Sequence, residues 1–305
     1  MYRSILVPLD TSPFSEHALV LARGMAQQTG AKLTLVHVHK VIEPIFIGTA
    51  PIYDEINDGE HRAKELAYLD QMQQKLISDD PLIMTTELLD ELPVAEALYN
   101  YTMSTDIDLI MMTTHGRGAL SRFWLGSVAD SLVRRVTVPV LLVRPHETEP
   151  DFTHEPRIKH VLIPLDGSGL SEQIIAQAIN IGRMNHARYT LLHTIEPVIT
   201  SYATAPHAAT FGVEWLDQTQ SQAKEYIEQT AQRLRNESFS VKTEVLVGPP
   251  AATILDYADT NDVDMIALAT HGRSGMARLL LGSVADKVVR GATVPVLVQR
   301  PHSEE

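Results

Sequence analysis

Two glycine-rich segments contain the residues most suited to binding an anion. The first runs from Thr113 to Gly116, continues for nine residues and closes on Gly126-Ser127. The second begins at Ala269 and closes on Gly282-Ser283 with the same spacing. Glycine lets backbone amides approach an anion closely, and the first turn of a helix offers unpaired N–H groups at the positive end of its dipole. Both segments therefore predict a phosphate cradle.

Each cradle lies between a predicted strand and a predicted helix. Alternating strands and helices predict an α/β protein of two tandem doubly wound domains, each a five-stranded parallel sheet in the order 3-2-1-4-5 with helices on both faces. Ligands of such sheets bind at the carboxyl ends of the strands, where the cradles lie. In the first half the predicted strands are Ser4–Pro8, Lys32–Val38, Met84–Leu89, Asp108–Thr113 and Val138–Val143, and helices are predicted after Ser12 and over Glu60–Ile77, Val94–Met103 and Gly126–Val136.

The two halves of the chain are copies of one another. The run that ends at Asp10 reappears ending at Asp166, an offset of 156 residues, and residues 114–146 are identical to residues 270–302 at 21 of 33 positions. The stretch between the halves is rich in proline and acidic residues and lacks apolar periodicity. We therefore predict a first domain over 1–146, a linker over 147–157 and a second domain over 158–305.

The composition narrows the classes of function. The chain has 305 residues, 25 Lys and Arg against 38 Asp and Glu, a net charge of −13 and no cysteine. An acidic chain is repelled by phosphate-rich surfaces, so we expect no nucleic-acid and no membrane partner. The lack of cysteine excludes disulfides, thiolate catalysis and Cys-ligated metals. With no signal peptide and no long apolar run in the sequence, we expect a cytoplasmic protein.

Several histidines admit a structural interpretation beside a chemical one. His115 and His271 could act as general bases, but no nucleophile or triad order accompanies them, which favours loop residues that hydrogen-bond backbone. His37 and His39 share one strand face, as metal ligands would, but the second half has only His193, which disfavours a metal.

The acidic residues and two serines are equally open to two interpretations. Asp10 and Asp166 end the first strand of each half, where a carboxylate caps the next helix or contacts a ligand. Asp106 with Asp108 resembles a divalent-metal pair, as do Asp262 and Asp264, but both pairs precede a strand at its amino end, which favours turn formation. Ser12 and Ser168 are predicted helix caps.

The combination of these motifs resembles the universal stress protein family, as two domains in tandem. That family has an adenine-nucleotide motif of Gly, two residues, Gly, nine residues, then Gly and Ser or Thr, an Asp after the first strand and a Val-Pro-Val last strand, here Val138–Val140 and Val294–Val296. The resemblance implies that Asp10 and Asp166 contact adenosine and that Val38 and Thr194 meet adenine through their backbone. The strand-end prolines Pro8 and Pro164 belong to the same predicted site.

The resemblance also implies a phosphate-binding set in each half. Arg117 and Arg273 are added from their position beside the cradle, where a cation would screen phosphate charge. The ligand implied is ATP or another adenine nucleotide, with or without Mg²⁺. The predicted phosphate-binding residues are Gly116, Arg117, Gly126, Ser127 and Val128 in the first half and Gly272, Arg273, Gly282, Ser283 and Val284 in the second.

One departure from the family pattern distinguishes the halves. The first Gly of the motif is Thr113 in one half and Ala269 in the other. Whether this position needs positive φ or only close approach, Thr fits worse than Ala. We therefore rank the second site above the first. Leu92 of the first half occupies the position of Gly248 in the second, which favours the same ranking.

The apolar last strands predict a contact between domains. An exposed apolar edge strand tends to pair with another strand. In the family, the last strand pairs with its counterpart in another domain. We expect the two halves to pair as an intramolecular pseudo-dimer, and two chains to be able to associate further as a homodimer.

Three functions follow from these features. The first is a stress-response protein that binds adenine nucleotide (ATP, ADP or AMP) as a regulator or sensor and acts on an unknown protein partner. The second is an interaction scaffold of the same fold that has lost nucleotide binding in one or both domains, which Thr113 and Ala269 suggest. The third is a slow ATPase, which lacks a P-loop Lys and a placed general base in the sequence.

Overall fold

The computed structural model describes residues 1–40, 45–47, 50–52, 55–77, 82–90, 93–115, 125–153, 156–197, 208–270 and 281–301, with backbone alone at 45–47, 50–52 and 208–214. The chain divides into two compact units, Met1–Pro156 and Arg157–Glu305. None of the helices in the described ranges is both long enough and apolar enough to cross a membrane.

Unit 1 is built on a parallel sheet. Its strands lie in the order β5-β2-β1-β6-β7, which is 3-2-1-4-5 when the short β3–β4 hairpin is left out. The elements of unit 1 are β1 (Ser4–Pro8), α1 (Pro13–Thr29), β2 (Lys32–Val38), β3 (Ile45–Ile47), β4 (Ala50–Ile52), α2 (Glu55–Leu76), β5 (Met84–Leu89), α3 (Val94–Ser104), β6 (Leu109–Thr113), α4 (Ser127–Arg135) and β7 (Val140–Val143).

Unit 2 repeats the same parallel sheet in the order β10-β9-β8-β11-β12, again 3-2-1-4-5. The predicted fold class and strand order are therefore confirmed in both halves. The elements of unit 2 are β8 (His160–Pro164), α5 (Gly169–Glu172), α6 (Ile174–Gly182), β9 (Arg188–Ile195), α7 (Ala208–Asn236), β10 (Ser240–Val247), α8 (Pro250–Thr260), β11 (Met265–Ala269), α9 (Ser283–Gly291) and β12 (Val296–Gln299).

The central strands account for the choice of fold. Every residue of Ile5–Val7 in β1 and of Leu109–Met111 in β6 is fully buried, and the same holds for Val161–Ile163 and Met265–Ala267 in unit 2. Consecutive residues of a strand point to opposite faces, so a continuous buried run requires cover on both faces. Helices between successive parallel strands supply that cover.

The first helix of unit 1 begins where its sequence predicts. The Ser12 side chain caps it by accepting from the Ser15 amide, Pro13 is its first residue, and Gly30 ends it with φ 71°. Ser168 caps α5 in the same way through the Ser171 amide, which confirms both serines as helix caps. In unit 2, however, the helical segment is interrupted at Gln173, so α5 and α6 are separate.

Two other differences from the sequence expectation concern local structure. Residues 45–52, expected as loop, include a short antiparallel hairpin in which Ile45 pairs with Ile52. Part of the predicted linker packs on unit 1, where the His17 ring donates from Nε2 to the Thr148 carbonyl at 2.9 Å and Arg23 donates to the Phe152 carbonyl. Both contacts join residues far apart in sequence, which local patterns do not encode.

Candidate functional site

A cavity of about 500 Å³ opens at the carboxyl ends of β1, β2 and β6 in unit 1. This is the edge of a doubly wound sheet at which ligands bind. The cavity is lined by all seven predicted site residues of this half that the structure describes, namely Pro8, Asp10, Val38, Thr113, Gly126, Ser127 and Val128. Residues more than 100 positions apart in the sequence therefore meet at one site.

The N-terminus of α4 forms one wall of this cavity. Gly126 occupies the N-cap position and no side chain caps the helix, in contrast to α1 with its Ser12 cap. The first turn then begins with Ser127 and Val128, whose amides have no partner within a helix. This wall presents N–H donors and the positive end of a helix dipole to the cavity.

The role of Gly126 differs from a simple amide donor. Its N–H donates to the Thr114 carbonyl oxygen at 2.7 Å, so that amide is engaged within the protein. A Cβ at this position would lie 3.2 Å from the same oxygen. Gly126 therefore allows the chain to approach the end of β6 closely, and Ser127 and Val128 are left as the donors of the cradle.

Thr113 departs from the motif without backbone strain. The non-glycine residues with positive φ among those described are Thr11, His186, Ser238 and Asp262, which include neither Thr113 nor Ala269. Close approach is thus the relevant requirement at this position. Thr113 is 7 % exposed, and its hydroxyl donates to the His115 carbonyl at 2.8 Å. The side chain is therefore held against the following loop.

Asp10 organises the turn that follows β1. Its Oδ1 accepts from the Ser12 amide at 3.0 Å and from the Ser12 hydroxyl at 2.5 Å. Asp166 makes the same pair of contacts to Ser168, at 2.9 and 2.6 Å. The aspartates therefore do not cap the helices themselves, because Ser12 and Ser168 do so, but each holds its cap serine with one carboxylate oxygen. In unit 1, Asp10 also lines the cavity.

Val38 and Thr194 lie at equivalent points of their sheets. The last pairs between the first and second strands are Pro8 with Val36 in unit 1 and Pro164 with Leu192 in unit 2. Val38 and Thr194 are each two residues beyond those pairs. Their backbone groups therefore lie past the end of the first strand, where a flat ligand could meet them edge-on.

The second cradle repeats the first in its described part. The Gly282 amide donates to the Thr270 carbonyl at 2.8 Å, and Gly282 is the N-cap of α9, which also has no side-chain cap. Ser283 and Val284 begin this helix as Ser127 and Val128 begin α4. The predicted residues Gly116, Arg117, Gly272 and Arg273, and His271 with them, lie outside the described residues.

The sequence analysis did not place Glu65 and His61 at the site. Both belong to α2 and line the cavity, together with Lys40 after β2. Glu65 contacts His37 of β2 and His39 just after it: its Oε1 lies 3.2 Å from His37 Nε2 and its Oε2 lies 2.6 Å from His39 Nδ1. The His37-x-His39 spacing was the available signal, because it places both rings on one strand face.

The remaining chemical interpretations resolve into local contacts. The His115 ring lies 2.9 Å from the Thr114 hydroxyl at its Nδ1. The Asp108 carboxylate accepts from the amides of Arg3 and Ser4, at 2.8 and 3.0 Å, so it holds the amino ends of β1 and β6 together. No group of three His, Asp or Glu side chains in the described ranges is arranged to hold a metal ion.

Comparisons with known proteins agree with this architecture. The universal stress protein family model matches residues 1–144 and 157–300. A universal stress protein of Mycolicibacterium smegmatis is 27% identical over 305 residues, covering 97% of both chains. One of Mycobacterium tuberculosis is 26% identical over 305 residues, covering 97% of this chain and 96% of the relative.

The solved structures give the same result for the fold. The crystal structure of a universal stress protein from Archaeoglobus fulgidus has a TM-score of 0.67 at 18% identity and covers 99% of this chain and 97% of that one. A functionally unknown protein from Pseudomonas aeruginosa has a TM-score of 0.67 at 17% identity, covering 98% and 93%. With the family model matched in both halves, the chain belongs to the universal stress protein family as a tandem of two domains.

Proposed function

We propose that the chain binds adenine nucleotide (ATP, ADP or AMP) in both units and acts as a regulator or sensor in a stress response. The observation that carries the proposal is the cavity of unit 1, which gathers the predicted residues of three strand ends and one helix start. Its volume of about 500 Å³ falls in the range of pockets that enclose small ligands.

The two ends of the cavity differ in chemistry as the two ends of a nucleotide do. Ser127 and Val128 offer amides and a helix dipole suited to phosphate. On the β2 side, Val36, Val38 and Leu98 offer an apolar surface suited to a planar base. We place the phosphates at α4, the base at β2 and the ribose near Asp10.

The polar side chains of the site already make hydrogen bonds within the protein, which supports a binding role over catalysis. The His37 ring donates from Nδ1 to the Leu9 carbonyl at 2.7 Å, His115 contacts Thr114, and one oxygen of Asp10 is held by Ser12. General-base catalysis requires a group within hydrogen-bond reach of the proton it removes. These side chains are already committed to holding strand ends and turns.

The first test measures the nucleotide that the purified protein carries. The protein is denatured, and adenine nucleotide released per chain is quantified by mass. Two variants, Ser127→Asp and Ser283→Asp, are then each expected to weaken nucleotide binding at one cradle. An Asp in the first turn favours the helix dipole, so the fold is preserved, but its charge repels a phosphate a few ångströms away and should weaken binding by about tenfold or more.

The outcomes separate the candidate functions. Two nucleotides per chain, reduced to one by either variant, would support sites in both units. One nucleotide, lost only with Ser283→Asp, would support the ranking of the second site above the first. No carried nucleotide and no calorimetric binding at millimolar ATP with Mg²⁺ would contradict the proposal and favour an interaction scaffold. Phosphate release that persists through purification would favour a slow ATPase.

The association of the two units through their last strands stays a prediction. Within its own unit, β7 pairs with β6 and β12 pairs with β11. Proteolytic cleavage in the predicted linker followed by gel filtration tests the pairing. Fragments that elute together would support it, and fragments that separate would contradict it. Sedimentation of the uncut chain tests for a homodimer.

A further inference from the structure

A four-residue cluster in unit 1 connects α2 to β2 beside the cavity. Glu65 bridges His37 and His39 through its two carboxylate oxygens, at 3.2 and 2.6 Å. The other ring nitrogen of His39 lies 3.3 Å from Asp58 Oδ1. His39 is 1 % exposed and His37 is 8 % exposed, so the two rings are buried, whereas the carboxylates of Glu65 and Asp58 are partly exposed.

The chemistry of the partners fixes where the protons must be. A carboxylate oxygen only accepts hydrogen bonds, and a neutral imidazole carries a proton on one nitrogen alone. Both nitrogens of His39 face carboxylates, so the two contacts form together only when the ring is an imidazolium. The His37 ring lies between the Leu9 carbonyl, 2.7 Å from its Nδ1, and Glu65, 3.2 Å from its Nε2.

Unit 2 keeps one half of this arrangement and lacks the other. His193 occupies the position of His37 and lies 2.8 Å from the Leu165 carbonyl through Nδ1. Ile195 occupies the position of His39. The His193 ring makes an edge-on contact with the ring of Tyr226 on α7. The two units therefore differ at this point of the fold, because unit 2 has no titratable ring at the position of His39.

The cluster is placed to act on the cavity. His37 and Glu65 line it, and so does His61, which precedes Glu65 by one helical turn on α2. His39 and Asp58 are not among the described residues that line it. A contact that fixes α2 on β2 therefore also fixes one wall of the cavity, and its His39–Asp58 half lies outside the ligand space.

We propose that the His37–Glu65–His39–Asp58 cluster is a proton-operated latch that holds α2 against β2 and thereby makes ligand binding in unit 1, but not in unit 2, depend on pH. The regulation of the site rests on the proposed nucleotide binding, whereas the latch itself does not. In the protonated state, the His39 imidazolium donates to both Glu65 and Asp58. Loss of a proton leaves a carboxylate facing a ring nitrogen that no longer donates to it, and α2 loosens.

The charges around the cluster are consistent with this direction. Burial lowers the pKa of His39, but its hydrogen bonds to Glu65 and Asp58 and their charges outweigh that effect and raise the pKa above 6.5. Among the described residues, four other charged or titratable groups line the same cavity, namely Asp10, Lys40, His61 and His115. Arg62 on α2 lies near Asp58 and Glu65 and pairs with Asp90 after β5. From β1 and α3 the neighbours are the Leu9 carbonyl and the apolar Val94 and Leu98.

The sign of the effect follows from the raised pKa of His39. A histidine whose pKa is higher in the folded state stabilises the structure fully below 6.5, and the stabilisation is lost as the pH rises through the folded-state pKa. We expect α2 to be held most tightly in mildly acidic solution and to loosen towards alkaline pH.

The test of the latch uses the unliganded full chain. Hydrogen–deuterium exchange of α2 is measured from pH 5.5 to 8.5 and corrected for intrinsic exchange rates, with α7 of unit 2 as the internal reference. We expect α2 to lose protection relative to α7 as the pH rises, because a deprotonated His39 ring cannot donate to both Glu65 and Asp58. Equal pH profiles for the two helices would overturn the latch.

A conservative variant separates proton coupling from packing. Asp58→Asn keeps the shape of the side chain, and its amide can donate to the Nε2 of a neutral His39. We expect this variant to flatten the pH profile of α2 without unfolding the unit. A second variant, His39→Gln, removes the titrating ring and should flatten the profile in the same way. A profile unchanged in both variants would overturn the proposal.

The coupling to the ligand is measured on the Ser283→Asp background, in which only unit 1 binds. Calorimetric affinity for ATP with Mg²⁺ at pH 6 and pH 8 is compared with the same chain carrying Asp58→Asn, so that titration of the nucleotide cancels. We expect the ratio of the two affinities to fall at the higher pH, as α2 loosens in the chain that keeps Asp58. Binding whose pH dependence is the same in the two chains would overturn the regulatory role. Absence of binding at every pH would instead contradict the proposed function. In that case the exchange experiment would still decide whether the latch exists.

Discussion

The amide of Gly126 donates a hydrogen bond to the carbonyl oxygen of Thr114 at 2.7 Å. Gly282 and Thr270 repeat this bond at 2.8 Å in unit 2. The contact ties the start of the helix to the end of the fourth strand of each sheet. It therefore fixes the position of the next two amides, which are those we assign to the phosphate.

Adding a methyl group at Gly126 should disturb this tie. In Gly126→Ala the Cβ would lie 3.2 Å from the Thr114 oxygen, and Ala is also a poor N-cap residue. We expect a loss of about 1 kcal/mol in the free energy of unfolding of unit 1 and weaker nucleotide binding there. Urea unfolding and calorimetry measure the two effects.

Gly59→Ala is the matched control for that substitution. Gly59 lies in α2 with no atom within 4 Å of an added Cβ, and it is exposed. Ala in a helix interior is favoured over Gly by about 1 kcal/mol, so this change should stabilise the protein. Two substitutions with the same sign would contradict the steric role of Gly126.

The turn after the first strand predicts opposite effects in the two units. Thr11 has φ 64°, where the equivalent residue of unit 2 is Gly167 with φ 86°. A β-branched residue in the left-handed region costs about 1–2 kcal/mol. We expect Gly167→Thr to destabilise unit 2 by about 1 kcal/mol and Thr11→Gly to leave unit 1 unchanged or more stable. Thermal unfolding of the two variants checks the difference, and a destabilised Thr11→Gly would refute it.

Asp108 should matter for stability and Asp106 should not. The Asp108 carboxylate accepts from two backbone amides at the start of β1, and Asp264 accepts from the amides of Lys159 and His160 in unit 2. Removing such an acceptor costs about 1–3 kcal/mol, so Asp108→Ala and Asp264→Ala should each destabilise their unit. Asp106→Ala at an exposed position is the control, with an expected change within about 0.5 kcal/mol.

The same set of variants separates a structural role from a metal site. Unfolding is measured for the wild type and for Asp108→Ala with and without EDTA. We expect no effect of the chelator on either protein. A wild-type stability that falls with EDTA and is restored by Mg²⁺ would contradict the backbone-binding role.

His160 predicts that unit 2 is sensitive to acid. The ring is 4 % exposed, and burial together with the nearby Arg188 charge lowers its pKa below 6.5. Because the unfolded chain then binds a proton more readily than the folded one, the stability of unit 2 should fall as the pH falls through 6.5 and below. This direction is opposite to that of His39 in unit 1.

Urea unfolding followed by Trp215 fluorescence reports on unit 2. The chain has two tryptophans, so Trp124→Phe makes Trp215 the single reporter. We expect the midpoint to fall between pH 7 and pH 5 and to fall less in His160→Gln, whose side chain does not titrate. The same slope in both proteins would assign the acid sensitivity to other groups.

Much of the fold follows from local sequence pattern. The continuous apolar run Ile5–Val7 requires a strand buried on both faces, and the cap pair Ser12 and Pro13 sets where α1 begins. Both signals lie within a few neighbouring residues. The short hairpin over 45–52 and the contacts of residues 148 and 152 with α1 were not predicted, because they depend on partners that no local period marks.

The sequence by itself determined that the chain is a duplicated α/β protein and that Asp10, Thr113 and Ser127 belong to one edge of a sheet, since parallel strands bring their carboxyl ends together. The packing of the helices on the sheet decides that Glu65 of α2 reaches His37 of β2 and His39 just after it, and that the Gly126 amide is bound to Thr114. The reason is physical. Strand and helix periods fix which face a side chain takes, but the atoms it meets there are set by how the helices pack on the sheet.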